Sequence, residues 1–445
     1  LCYREKKVPN MGLKETTVLS LSYGQIVVKP VDKLHGLVPA SFETYQIVDA
    51  GNIIVRPTDL QNDWNSLRFG LSRHRGIITS AYMCLLTTGM MIKNYGHLLL
   101  HAYDLKKVFY GLGSGLRQNL DWGDFKYLPC VVPPLSEQAA IVRFLDHADR
   151  RIRKYIRAKQ KLIKLLEEQK QAIIHRTVTR GLDPNVRLKL SGVEWLGEVP
   201  EYWEILALKR ILRRLIDCEH KTAPATDTGE FRVVRTSAVR NGHLRQEGTY
   251  CTTASAYKDW TRRGVPQSGD VIFTREAPTG EACVVPAGQN LCLGQRTVLM
   301  QLRPNDYDPR FLVHMIYAGP PRNRIQLASQ GSTVDHFNMD DIGWMQVLKP
   351  PLVEQKEIAN WITDSTRMQD LAITRAEAGI TLLHEYRTRL IADVVTGKLD
   401  VREAAANLLE EAEEPEALDE IEAVENGEEM MGEGESASEL QEAEA

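Results

Sequence analysis

Pro133-Pro134-Leu135-Ser136-Glu137-Gln138-Ala139-Ala140-Ile141 returns 217 residues later as Pro350-Pro351-Leu352-Val353-Glu354-Gln355-Lys356-Glu357-Ile358. At that one offset, without a gap, 17 of the 51 residues from Pro133 to Asp183 are identical to those from Pro350 to Asp400. Both copies close alike, Val178-Thr179 and Leu182-Asp183 against Val395-Thr396 and Leu399-Asp400. Solenoid repeats run roughly 20–50 residues, so this period marks the duplication of a larger unit. The order is variable block, helix, variable block, helix.

Each copy reads as one long helix. In the first, apolar residues recur at spacings of four and three: Ile141, Leu145, Ala148, Ile152, Tyr155, Leu162, Leu166 and Ile173, with Ile156 and Ile163 beside the seam and Lys159 and Gln169 interrupting it. This is a heptad stripe with a charged outer face, long enough for a rod of about 60 Å at ~1.5 Å per residue. Pro133-Pro134 sets the start, Ser136 is a candidate N-cap, and Gly181 with Pro184 marks the end. The second stripe is Ile358, Ile362, Gln369, Ala372, Ala376, Gly379, Leu383, Tyr386 and Leu390, small in the middle where the first is bulky. Two antiparallel helices with facing long and short side chains could approach closely. Alternatively, each helix packs on its own globular neighbour. A rigid pair would also space the two blocks.

The blocks themselves, 1–132 and 201–349, are rich in short β-branched runs between turn signals: Thr17–Leu21, Ile26–Val28, Asn52–Val55, then Phe231–Val234, Asp270–Phe273 and Thr297–Met300. Val48–Arg56 and Pro266–Arg275 correspond, each a Gly-containing turn followed by a buried strand that ends on a basic residue. The expected class is α+β: two pseudo-symmetric blocks of mixed β with short helices, separated by two long helices. The expected segments are 1–132 (first block), 133–185 (first helix), 186–200 (connector), 201–349 (second block), 350–402 (second helix) and 403–445 (acidic tail).

Composition narrows the function. The net charge is −4, but residues 403–445 hold 17 acidic residues and no Lys or Arg. The rest of the chain carries 55 basic against 42 acidic residues, a balance that suits a polyanion partner and equally suits scattered solvating lysines. The tail from Glu410 is too polar to bury a core and is expected to be disordered. Seven cysteines, an odd number without CxxC spacing, suggest a reduced, cytoplasmic protein. No apolar run reaches the roughly 18 residues of a membrane span.

The PPLxEQ start of each helix, the exit Thr179-Arg180-Gly181-Leu182-Asp183-Pro184-Asn185, and the connector Ser191-Gly192-Val193-Glu194-Trp195-Leu196-Gly197-Glu198-Val199-Pro200-Glu201-Tyr202-Trp203-Glu204 resemble the specificity subunits of Type I restriction–modification enzymes. The resemblance covers nearly the whole chain except the tail. It implies two target-recognition domains on duplex DNA. It also implies an antiparallel coiled coil that docks two methyltransferase subunits and, through them, the restriction/translocase subunits. No catalysis and no cofactor are implied. The family usually has a connector before the first block as well. Since the chain starts at Leu1 inside that block, the first domain is expected to be truncated.

Candidate DNA contacts are Arg56, Arg73, His74, Arg75, Arg117 and Gln118 in the first block, and Arg235, Arg240, Lys258, Arg262, Arg263, Arg275, Arg296 and Gln330 in the second. Lys and Arg suit phosphates, and Arg and Gln suit base edges. Arg157 and Lys161, flanking the helical seam, are candidates for docking the partner subunits.

Two other classes compete with this reading. A fused methyltransferase or nuclease would need catalytic motifs. The Pro-Pro pairs at 133, 320 and 350 follow Val132, Gly319 and Lys349 rather than the Asn or Asp of an adenine methyltransferase loop, and no GxxxxGK[ST] or GxSxG occurs. Gly111-Leu112-Gly113-Ser114-Gly115 lacks the strand and helix context of a phosphate cradle. His97 and His101, four apart, have no third ligand nearby, and the eight residues between Cys283 and Cys292 are wrong for a zinc knuckle. A coiled-coil adaptor that binds only protein would show no affinity for DNA.

Overall fold

The computed structural model describes residues 1–29, 41–64, 66–112, 118–193, 196–322, 325 and 337–408. Gly113–Arg117, Gln330 and the tail from residue 409 lie outside them. The chain forms two compact units. One comprises the residues up to Lys154 together with those from Leu383 onward, and the other is Tyr155–Leu382.

In the first unit the strands are β1 (Tyr3–Glu5), β2 (Leu19–Ser22), β3 (Gln25–Val28), β4 (Gln46–Val48), β5 (Ile53–Val55), β6 (Phe69–Leu71), β7 (Gly76–Ile78) and β8 (Met83–Thr87). They are followed by α1 (Lys93–Leu105), the short α2 (Trp122–Phe125) and the start of α3 (Leu135–Arg180). The second unit contains β9 (Leu188–Leu190), β10 (Glu198–Pro200), β11 (Glu204–Ala207), β12 (Leu212–Asp217), β13 (Phe231–Val234), β14 (Val239–Arg240), β15 (His243–Leu244), β16 (Thr249–Thr252) and α4 (Ala254–Trp260). Then come β17 (Val271–Thr274), β18 (Ala282–Val284), β19 (Asn290–Leu293), β20 (Thr297–Leu302), α5 (Pro309–Ala318), α6 (Met339–Gly343), β21 (Gln346–Lys349) and α7 (Leu352–Val395). A last short helix, α8 (Arg402–Ala406), returns to the first unit.

The duplication extends into the blocks where sequence identity does not. Each unit has an antiparallel four-stranded sheet, ordered β1-β8-β5-β6 in one and β12-β20-β17-β18 in the other. The central pairs match: Ile54 faces Cys84 as Ile272 faces Leu299. Both central strands begin from the same turn. The Asn52 amide donates to Asp49 O at 3.0 Å and Asp270 to Gln267 O at 2.9 Å. Gly51 (φ +89°) and Gly269 (φ +91°) take the left-handed position that such a turn reserves for glycine.

The repeated motif works as a clamp. Gln138 and Gln355 are completely buried. The Gln138 Oε1 accepts from the Ile92 amide at the start of α1 (2.8 Å), and its Nε2 donates to Pro133 O (2.8 Å) and Met90 O (2.9 Å). Gln355 repeats this on α5, accepting from the Asp308 amide and donating to Pro350 O, both at 2.8 Å. One amide side chain thus supplies an acceptor to an otherwise orphaned helix-start N–H and joins the long helix to the domain helix. The neighbouring Glu354 accepts from Tyr202 Oη (2.9 Å) and from Nε1 of the fully buried Trp203 (3.2 Å), which anchors the connector. Leu135 opens α3, with Pro134 O accepting from Glu137 and Gln138. Ser136 therefore lies inside the first turn and is not the N-cap.

Both ways of packing the long helices occur. In the first unit Ile141 and Leu145 of α3 and Leu390, Val394 and Val395 of α7 join one core with Ile53, Leu85 and Leu99. In the second, Ile174 and Val178 of α3 and Ile358 and Ile362 of α7 join Phe273, Met300 and Phe311. The helices also meet each other: Asp149 with Arg387 (2.5 Å) in the first unit, and Lys170 with Asp370 (2.5 Å) in the second. The Lys159 chain lies over Gly379, its Nζ 2.8 Å from where a Cβ would stand. Numbers rise on α3 as they fall on α7, so within each unit the pair is antiparallel.

The seam differs from the heptad reading. Tyr155 (53% exposed) and Leu162 (47%) face solvent, whereas Ile156 is buried. The inward positions of α3 are Ile141, Leu145, Ala148, Ile152, Ile156, Lys159, Ile163, Leu166, Lys170, Ile174 and Thr177. These cover 36 residues in ten steps, a mean of 3.6. A straight helix drifts about 20° per heptad from a 3.5 repeat, so a strict heptad that starts at Ile141 has left the buried face by Tyr155, two heptads on. On α7, Tyr386 is likewise exposed, and Arg387 takes the inward position.

Replacing Gln355 by Ala orphans the buried Asp308 N–H and Pro350 C=O. The expected loss is roughly 1–3 kcal/mol for each group, read as a fall in the urea midpoint of the full chain. Gln160→Ala, on the exposed face of α3, should change stability by less than about 0.5 kcal/mol. Equal effects of the two substitutions would contradict the clamp.

Candidate nucleic-acid interface

Arg73, His74 and Arg75 form an exposed basic tip between β6 and β7. The tip is fixed rather than loose. Ser72 Oγ donates to His74 O (2.7 Å), and the Arg75 guanidinium meets Asp49 (3.1 Å) and Glu15 (3.4 Å). Arg56, half-buried, lies 3.6 Å from Asp63. Gln118 has a different task from the one its type suggested. Its Nε2 donates to Tyr110 O (2.8 Å) and Leu112 O (2.9 Å), so the amide is spent on its own loop. Arg117 lies outside the described residues.

In the second unit, Lys258 and Arg262 project from α4 and the turn after it, exposed and without an ion-pair partner among the described residues. Thr253 caps this helix by accepting from the Ala256 amide (3.1 Å), and Phe231 packs against Tyr257 with ring centres 4.4 Å apart. Arg263 pairs with Glu219 (3.3 Å) and donates to Cys218 O (3.1 Å). Arg235 is exposed and lies over Tyr250, and Arg296 pairs with Glu276 (3.0 Å). Arg240 is half-buried, donating to Thr236 O and Val239 O at 3.1 Å. Arg275 is buried: Nη1 donates to both Asp217 oxygens at 2.9 Å and Nε to Phe337 O at 2.8 Å. It therefore supports the surface and is not an outward-facing contact. Gln330 lies outside the described residues.

Beside the Arg235 loop lies a groove of about 520 Å³ lined by Arg232, Arg245, Gln246, Gln289 and Asn290. These are the residue types that read base edges. Arg232 is held in place by donating to Thr249 Oγ1 (2.6 Å). The sequence offers no periodicity that assembles this set, because the groove draws on three separate loops.

Asp217, Cys218 and His220 bring three metal-ligand atoms within 4.8 Å of one another. Burial alone would raise the Asp217 carboxyl, but hydrogen bonds from Arg275 and His220 hold it below the usual range. A cation there would compete with the Arg275 guanidinium for the same oxygens. His97 and His101 stack with ring centres 6.1 Å apart, and His97 Nε2 lies 3.4 Å from Phe69 O. All seven cysteines are free thiols, and burial pushes Cys283 and Cys292 up to about 12.

Docking of partners was expected at Arg157 and Lys161. Lys161 is exposed and Arg157 half-buried. A larger feature runs along α7, where Val353, Trp361, Met368, Leu371 and Leu382 are 42–70% exposed. At ~100° per residue they fall within about 80° of the helix circumference, an apolar stripe on a face turned away from the seam.

No protein-family model matches the chain. It is 20% identical over 308 residues, covering 68% of this chain and 67% of the relative, to a putative type I restriction enzyme MjaX specificity subunit of Methanocaldococcus jannaschii. It is 21% identical over 360 residues, 79% of this chain and 81% of the relative, to the type I restriction enzyme MjaVIII specificity subunit of the same organism. Its fold matches a chain from a solved type I R-M system, studied for complex assembly and conformational transition. The TM-score is 0.61 at 14% identity, over 90% of this chain and 96% of that one. The chain's curated homologues are thus specificity subunits of type I restriction enzymes. No helix among the described residues is long and apolar enough to cross a membrane.

Burial lowers His97 and His101 to about 4. Each is then neutral in the folded chain, while the unfolded chain takes up protons below the ordinary value of 6.5. Their contribution is whole above pH 6.5 and is lost as pH falls from there towards 4. Melting of the full chain should therefore drop across that window, and less steeply in His97→Gln/His101→Gln. An unchanged pH slope in the double variant would contradict the assignment.

Proposed function

We propose that the chain is the sequence-specific DNA-recognition subunit of a type I restriction–modification complex, working in the cytoplasm without catalysis of its own. It reads a bipartite, asymmetric duplex target, one half per globular unit. It scaffolds two methyltransferase subunits and, through them, the restriction/translocase subunits. The observation that carries this reading is a duplicated frame bearing two unlike surfaces. The sheets, turns and glutamine clamps repeat, while the exposed groups do not. Arg73, His74 and Arg75 on one unit have no counterpart in the Lys258, Arg262 and Arg263 of the other. Repeated frame with divergent surface is what two different half-targets require. The curated homologues support the same assignment.

Phosphates are held by the exposed lysines and arginines, which set register, while groove-lining Arg, Gln and Asn groups choose bases. The basic body supplies the salt-dependent part of the affinity. The apolar stripe on α7 is proposed as part of the docking surface for a methyltransferase subunit, with Arg157 and Lys161 on α3 as further candidates for partner contact.

Binding of the full chain, with its partner subunits, to duplex DNA should weaken steeply as salt rises. Lys258→Ala/Arg262→Ala should lower affinity uniformly across sequences and reduce the salt slope by about one per lost phosphate contact. A flat salt response, or no DNA affinity even at low salt, would favour a protein-only adaptor and overturn the reading.

A further inference from the structure

We propose that Arg68 and Arg275 are positioning residues for base recognition, each a buried guanidinium that fixes the reading loops of its own unit without reaching the DNA. The inference rests on the functional reading above and assigns it two residues.

Arg68 is 1% exposed. Its Nη1 donates to Thr58 O (2.6 Å) and Arg56 O (3.4 Å), its Nη2 to Asp63 O (2.6 Å) and Asp59 O (3.1 Å), and its Nε to Tyr110 Oη (3.0 Å). Four carbonyls of one loop thus converge on a single planar cation. That loop is joined in turn to the segment around Gln118, through the Leu60 amide on Gln118 O (3.4 Å) and the Leu120 amide on Pro57 O (2.8 Å).

Arg275 directly follows the central strand β17, the place that Arg56, not Arg68, takes after β5 in the first unit. Arg275 joins the end of β12, through Asp217, to Phe337. Its backbone amide also donates to Arg296 O (2.8 Å) and its carbonyl accepts from Thr279 Oγ1 (2.9 Å). The side chain therefore joins two segments of the second unit, the end of β12 and Phe337, while the residue's backbone adds the segments at Arg296 and Thr279.

An arginine buried among carbonyls is an expensive way to stabilise a loop. Hydrophobic residues of similar volume often replace buried charges without loss of stability. What the guanidinium supplies is direction: five donors in a fixed planar fork specify where several backbone segments lie at once. Base reading needs that definition, since contact groups must be held to about 0.5 Å. Phosphate attraction does not need it. The two effects therefore separate experimentally.

The test uses a host carrying the complete system, with modified bases mapped by sequencing and the melting of each purified chain measured alongside. Arg68→Lys and Arg275→Lys keep the charge but lose the fork. Each should leave DNA modified but make one half of the split motif degenerate, a different half for each variant. Discrimination at the affected positions should fall about tenfold, the scale of one base contact. An unchanged motif with less modification would mean a merely structural role and would overturn the inference, as would loosening of both halves by one substitution. Should either lysine variant fail to fold, Tyr110→Phe removes one acceptor of Arg68 and Asp217→Asn weakens one of Arg275, and these must loosen the same halves; an unchanged motif in both would also overturn it. A wild-type system whose motif is not split would instead overturn the functional reading, and the inference with it.

Discussion

The buried amide of Gln138, and of its repeat Gln355, is the contact on which the rest of the chain depends. Each turns the start of a 46- or 44-residue helix into part of a globular core. It does so by satisfying a backbone N–H at the foot of the domain helix and a proline carbonyl on its own chain. A buried amide that loses either partner leaves a polar group without water, which costs more than the bond itself contributes. That asymmetry makes the junction a fixed angle rather than a hinge of convenience. It explains why a motif of two prolines, a leucine and a glutamine persists in both copies while the domains around it diverge.

Because each long helix starts in one core and ends in another, the first unit is not a contiguous stretch of chain, and the second takes in the end of the first long helix and the start of the second. The first is completed by Leu390, Val394, Val395 and Val401 from the far end of the sequence. The second is completed by Ile174 and Val178 from the end of the first helix. Strands and turns then rest on a frame that recurs almost unchanged, and the exposed loops are relieved of structural duty. Surface residues such as Lys258, Arg262 and His74 can vary without disturbing a core. Arg68 and Arg275 lie between the two levels, structural in burial and functional in what they hold.

Much of this was legible in the sequence, and the limits have physical causes. The repeat exposed the duplication, and short β-branched runs located β3, β5, β13, β17 and β20. The α+β class followed from those strands and the two long helical stripes. The heptad reading failed at Tyr155, Leu162 and Tyr386 because spacings of 3.5 and 3.6 cannot be told apart over two turns, yet diverge over ten. The candidate interface was less legible. Residue type marks an arginine as able to bind DNA but does not show burial, so Arg275 and Arg240 looked no different from Arg262. Gln118 looked like a base reader until its amide was found on two carbonyls. Arg68 stood beside a strand with nothing to distinguish it, because its role depends on a loop curling back over it. The Arg232 and Arg245 groove is assembled from segments distant in sequence.

The central claim is that each unit reads its own half of the target on a common frame. It is tested most directly by exchanging residues 1–132 for the first block of another specificity subunit, with the Pro133–Gln138 junction kept intact. The modified motif is then sequenced in a host carrying the complete system. The account predicts that one half of the motif changes and the other is retained. A swap that altered both halves, or neither, would contradict it.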